Sequence, residues 1–168
     1  MPRAIVYVVA VLLVGMVIYA FQPERPLGKG DAAPNATLKL LSGETRTLAD
    51  YKGKVVVLDF WATWCAPCLY TMPKMIQFYN RHRSQNVEVI GVAVDVSSRA
   101  EVEQFVKEME VNYPIAVDSE AVVKGVYGIK NLPTLFVIDK KGHIVLRLEG
   151  YDPQNTMQML EDAVQRAL

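Results

Sequence analysis

The feature that most constrains this chain is a seven-residue run, Val55-Val56-Val57-Leu58-Asp59-Phe60-Trp61, which ends four positions before Cys65. A short, nearly continuous apolar and β-branched run reads as a strand covered on both faces. Beyond Cys68 the period changes: Met72, Met75, Ile76 and Tyr79 recur at helical spacing, and the pattern ends near Arg83. The only two cysteines, in Trp64-Cys65-Ala66-Pro67-Cys68, therefore fall at a strand-to-helix junction. Helix N-terminal amides and the helix dipole favour a thiolate there. With Cys65 at the N-cap, beyond the helix start and so expected to be exposed, and Cys68 one turn on, the sulfurs can close a disulfide with little backbone movement. Pro67 suits the first turn. A lone C-x-x-C also suits a metal, but a structural zinc site needs two further ligands. The only histidines, His82 and His143, are distant in sequence. His82, flanked by Arg81 and Arg83, reads as a solvated helix end, and His143, after a turn glycine, as exposed. Redox chemistry is the stronger reading.

Around this junction strands and helices alternate. Thr37–Leu41 and Thr45–Leu48 read as an N-terminal hairpin about Ser42-Gly43-Glu44. Val87–Val94 reads as a second buried strand, and Ser97 or Ser98 as the cap of a helix from about Arg99 to Met109. Val102, Phe105, Val106 and Met109 share one face of that helix. Ile115–Val117 reads as a short strand and Glu120–Tyr127 as a short helix stopped by Gly128. Leu135–Ile138 and Ile144–Leu148 flank a turn at Asp139-Lys140-Lys141-Gly142. Thr156–Leu168 closes the chain as a helix with Met159, Leu160, Ala163 and Val164 inward. The fold class is α/β, a mixed central sheet flanked by helices.

Ala4–Phe21 is a separate matter: eighteen positions with no charge and no polar group beyond two tyrosines. As a helix it would be about 27 Å long, close to the thickness of a bilayer's hydrocarbon core. A cleaved signal peptide is the rival reading, but its apolar region is usually shorter, and Ile18 before Ala20 makes a poor cleavage site. The expected organisation is a short head (1–3), a transmembrane signal-anchor (4–21), a Pro- and Gly-rich linker (22–34) and one folded domain (35–168). Eighteen basic side chains balance eighteen acidic ones in 168 residues. That balance argues against a nucleic-acid partner.

The segment Phe60-Trp61-Ala62-Thr63-Trp64-Cys65-Ala66-Pro67-Cys68 resembles the active site of the thioredoxin superfamily. Pro73 falls where that family kinks its active-site helix, and Leu132-Pro133-Thr134 resembles its cis-proline loop. The anchor, the hairpin and the extra strand-helix stretch between Val94 and Gly128 resemble the TlpA/ResA branch, membrane-tethered thiol–disulfide oxidoreductases facing an extracytoplasmic space (the periplasm in a Gram-negative cell). The resemblance implies that Cys65 is the nucleophile, Cys68 the resolving thiol, and the pair a redox-active disulfide. Asp59, costly in an apolar strand unless it reaches solvent, would be a buried proton relay for Cys68 with a raised pKa. Trp64, Pro67, Leu132 and Pro133 would meet the substrate, with Pro133 cis. Thr71 stands where ResA-type proteins carry a functional glutamate, so any acid–base work falls to Asp59. Trp61, Met72 and Met75 read as packing.

The expected function is an enzyme, a protein-disulfide reductase, without cofactor or metal. Its partners would be protein thiols and disulfides, the thiols of apocytochrome c during cytochrome c biogenesis among them, and a soluble or membrane redox partner. Two alternatives compete with it. A thiol peroxidase on the same fold needs a threonine three before the reactive cysteine, where this chain has Ala62. A Cu(I)-delivery module is reasonable for two soft thiolates, but relatives of that kind use a wider cysteine spacing and a dedicated histidine.

Overall fold

In the computed structural model, residues 3–20, 25–94, 98–118 and 122–168 are described. Residues 1–2 of the head, Phe21 and 22–24 of the anchor and linker, Ser97 as an alternative cap, and Glu120 and Ala121 at the expected helix start lie outside them. Helix α1 (Arg3–Ala20) carries the apolar run. Its described side chains, at 7–16, are exposed, and among the described residues no helix is long and apolar enough to cross a membrane. Both ends of the apolar run fall outside those ten positions.

The domain follows the expected order. A hairpin, β1 (Thr37–Lys39) and β2 (Thr45–Thr47), precedes β3 (Val55–Trp61) and α2 (Ala66–His82). Then come β4 (Val87–Ala93), α3 (Arg99–Glu108), β5 (Ile115–Val117) and α4 (Val122–Val126). Strands β6 (Thr134–Ile138) and β7 (Ile144–Glu149) and helix α5 (Thr156–Ala167) complete it. The main sheet has the order β5-β4-β3-β6-β7. Strand β4 runs parallel to both β3 and β5, whereas β6 is antiparallel to β3 and β7. All seven residues of β3 are buried, as a central strand with two covered faces must be. The hairpin shields the β5 edge: Leu41 N–H donates to the Ile115 carbonyl (2.8 Å), and Arg99 donates to the Leu40 and Leu41 carbonyls.

The two faces divide by the strand's period of two. Phe60 lies on one, with Tyr127 after α4 (5.4 Å between ring centroids) and Phe136 (5.9 Å). On the other, Trp61 stacks on Phe105 of α3 at 5.4 Å. Ser98 caps α3 reciprocally with Glu101, as a capping box. Gly128, with φ of +61°, ends the turn after α4, a conformation that costs glycine nothing.

Three expectations are corrected. His82 is buried rather than solvated, its ring 4.4 Å from that of Phe78 and its Nε2 2.7 Å from Glu161 Oε1 on α5. Among the described residues, Nε2 makes no hydrogen bond. One helical turn past Phe78, His82 lies on the core face of α2 despite its cationic neighbours. Met159 is exposed, because the adjacent Leu160 takes the inward direction and neighbours on a helix diverge by about 100°. Part of the proline-rich stretch is held on the domain: Gly30 N–H donates to the Ile144 carbonyl and Ala33 N–H to that of Gly142.

Candidate active site

Strand β3 delivers the chain to the pole where α2 begins. Cys65 is the N-cap of α2, Pro67 lies in the first turn, and that turn holds no acidic side chain. Orphan amide groups thus face the first cysteine with nothing to oppose an anion there. Cys65 and Cys68 form a disulfide, with Cα atoms 5.3 Å apart. The Cys68 N–H donates to the Cys65 carbonyl at 2.9 Å, and the Thr71 hydroxyl donates to the Cys68 carbonyl at 2.8 Å. Thr71 is buried, so this side chain secures the backbone under the second cysteine.

Cys65 is not the exposed residue expected from the sequence: it is 4% accessible, against 1% for Cys68. Bonded to Cys68, it lies on the floor of a groove of about 340 Å³ bordered by Trp64, Pro67, Lys130 and Leu132. Trp64 beside it is 68% exposed, an apolar platform that the described residues leave uncovered. Leu132 and Pro133 come from the opposite loop, and the bond between them is cis, as expected.

Asp59 lies within β3, six residues before Cys65, paired with Gly91 of β4 and Leu135 of β6. It is 1% exposed, and among the described residues the Oδ1 atom has no hydrogen-bond partner. Burial alone pushes its carboxyl from 3.8 up to about 7. The strand-end reading, in which this carboxylate reached solvent, is therefore excluded. Trp61, Met72 and Met75 are core residues, and His143 is exposed. No group of acidic, histidine or cysteine side chains among the described residues could hold a metal ion. Sequence reasoning missed Tyr113, whose hydroxyl is buried without a partner, and Gly91, against which Trp61 and Tyr113 pack. Lys124 and Lys130 on the groove wall were also missed, since helical or strand periodicity carries no signal for them.

A mixed five-stranded sheet, a disulfide across the first turn of the helix that leaves its central strand, and a cis-proline loop opposite define a thioredoxin-like thiol–disulfide oxidoreductase. The chain belongs to the AhpC/TSA family, which it matches over residues 29–147. It is 34% identical to the thiol-disulfide oxidoreductase ResA of Bacillus thuringiensis over 166 residues, covering 98% of this chain and 94% of the relative. With ResA of Bacillus subtilis the identity is 36% over 150 residues, 88% and 83% of the two chains. A crystal structure from Chlorobium tepidum, of a candidate thiol:disulfide interchange protein DsbE, superposes with a TM-score of 0.78. Its identity is 33%, over 84% of this chain and 98% of the other.

Proposed function

We propose that this chain is a membrane-anchored, extracytoplasmic protein-disulfide reductase that works through Cys65 and Cys68. The observation that carries the reading is a disulfide at the start of α2 together with a buried, protonatable Asp59 on the strand that leads into it. In the reduced enzyme, the Cys65 thiolate attacks one sulfur of a substrate disulfide. A mixed disulfide forms, and the other substrate sulfur leaves as a thiolate. Asp59 then takes the proton of Cys68, and the Cys68 thiolate attacks Cys65 Sγ. The second substrate thiolate is released and the Cys65–Cys68 disulfide re-forms. Two electrons have passed to the substrate, so a dithiol partner must re-reduce the enzyme. Trp64 and Pro67 on one wall and Leu132 and Pro133 on the other would hold an extended substrate segment.

The eighteen-residue apolar run supports the anchor at 4–21, and the bonds that hold Leu27, Gly30 and Ala33 on β7 and its turn leave at most residues 22–26 as linker ahead of the catalytic domain. Kinship with ResA supports an extracytoplasmic setting and makes apocytochrome c, with its thiol pair oxidised to a disulfide, the substrate to try first. No observation favours the peroxidase or the copper reading, and Ala62 stands against the former. Trapping tests the proposal. In Cys68→Ala, a substrate protein should remain disulfide-bonded to Cys65, and in Cys65→Ala none should. With the double-cysteine enzyme, Asp59→Asn should slow resolution of the mixed disulfide near neutral pH and leave the initial attack nearly unchanged. Equal trapping by both single-cysteine variants refutes the assignment.

A further inference from the structure

The groove of about 340 Å³ over the disulfide carries charge of one sign. Lys124 of α4 and Lys130 of the loop before β6 line it, and among the described residues no acidic side chain does. The backbone holds both lysines in place. The buried Asp118 carboxylate accepts from the Val123 and Lys124 N–H groups, at 3.0 and 2.6 Å, and the Lys124 carbonyl accepts from Ile129 N–H at 3.0 Å. Lys130 lies between Ile129, which is buried, and Asn131, whose side-chain amide donates to Glu149 at 2.9 Å. Glu149 does feel the charge of Lys130, but Asn131 first and then Arg147 hold that carboxyl below its usual range, and Lys130 adds least. The carboxylate nearest in influence to Lys130 is thus already engaged.

The other face of the sheet carries the opposite sign. Tyr127, just after α4, packs on Phe60, whereas α3 packs on Trp61 across the sheet. A second groove, of about 330 Å³, is lined by Thr63 and by Glu101, Gln104, Phe105 and Glu108 of α3. Thr63 borders this acidic groove, and the next two residues, Trp64 and Cys65, border the basic one.

We propose that Lys124 and Lys130 are specificity residues, which make the groove over the disulfide select a substrate segment with acidic side chains beside its cysteines. The inference rests on the reductase reading and names the substrate class of that site. Opposite charges across an interface speed encounter and fix register, and like charges reject the wrong partner. A carboxylate next to the substrate sulfur meets an ammonium group on the same wall as the apolar Ile129 and Leu132. Acidic side chains that reach past Trp64 meet Glu101 and Glu108 instead, so the preference is confined to the residues that enter the groove. A cation near Cys65 also favours its thiolate, but that effect acts on every substrate alike and leaves their ranking unchanged.

Three peptides test this, each closed by one internal disulfide and alike except that aspartate, asparagine or lysine flanks the cysteines. The full-length chain is reduced, freed of reductant and mixed with each peptide in single turnover. The ratio of the aspartate to the asparagine rate is then compared between proteins, which cancels the peptides' own reactivity and any general loss of activity. At low salt this ratio should fall about threefold in Lys124→Gln or Lys130→Gln and about tenfold in the double variant, the size expected of solvent-accessible ion pairs. The ratio for the lysine peptide should rise. In 1 M salt, where the screening length is about 3 Å, the native chain and the variants should converge. Equal ratios in the native chain and the double variant overturn the inference and leave the reductase reading standing. A native chain that reduces none of the three peptides refutes that reading, and the inference with it.

Discussion

Replacing Asp59 with asparagine should make the oxidised protein progressively more stable, relative to the native chain, as the pH rises. The native carboxyl titrates at about 7, against 3.8 for an ordinary aspartate. Below the lower value both native and unfolded states are protonated, and Asp59 costs nothing. Between the two values the unfolded chain ionises while the native one holds its proton, so native stability declines as the pH climbs, and the decline is complete above about 7. A displacement of about three units, at ~1.4 kcal/mol each, amounts to about 4 kcal/mol. Asparagine has the same shape and no proton to lose. Any fixed cost of the amide in this site is independent of pH and cancels when the gap between the two proteins is compared across pH. Urea unfolding followed by tryptophan fluorescence, at several values from about pH 4 to 8, gives that gap by linear extrapolation. It should widen in favour of Asp59→Asn by about 4 kcal/mol, most of it below neutrality. A gap constant to within about 0.5 kcal/mol would refute the reasoning, since the carboxyl would then titrate alike in both states.

Two further substitutions separate buried from exposed contacts. His82→Ala should cost on the order of 2 kcal/mol, from the cavity beside Phe78 and the loss of the Glu161 contact. Arg81→Ala, removing the more exposed partner of the same glutamate, should cost less than about 0.5 kcal/mol in the same urea assay. Equal losses would mean that burial of His82 contributes nothing. Trp64→Ala should leave the unfolding midpoint unchanged and lower the reduction rate of a protein disulfide about tenfold, while a small symmetrical disulfide reacts as before. A matching loss with the small disulfide would place Trp64 in the chemistry rather than in docking.

The elements most legible from residue order were those whose burial is set by local pattern. The run from Val55 to Trp61 has one stable environment, the middle of a sheet, and the cysteines that follow it inherit their place at the helix start. Asp59 could be singled out because it breaks that pattern. His82 was hidden by Arg81 and Arg83: polarity averaged over neighbours outweighed the phase it shares with Phe78. Met159 and Leu160 cannot both face inward, and apolar character alone does not say which one does. Tyr113 and Gly91 carry no local signal at all. They matter only once β5 lies beside β4 and brings a phenol to a glycine opposite Asp59. The burial of Cys65 depends likewise on a loop almost seventy residues further along the chain.

The attachment of residues 30–33 to β7 sets a reach. Gly30 is bonded to Ile144, and the register carries that point through Ile138 to Val56, near the start of β3. The cysteines lie past the other end of that strand, about 20 Å away at ~3.3 Å per residue. Arg147 of β7 also donates to the Leu27 carbonyl, at 2.9 Å, so beyond the proposed anchor at 4–21 only the five residues 22–26 would be left as a leash, with a fully extended length of about 17 Å. The domain would hang close to the bilayer by the β7 edge of its sheet, with its disulfide within roughly 40 Å of the bilayer surface. Within that shell, a tethered domain meets membrane-bound partners in two dimensions rather than three. Its encounter rate would then be governed by lateral diffusion and by the height at which a partner presents its own sulfur, more than by bulk concentration.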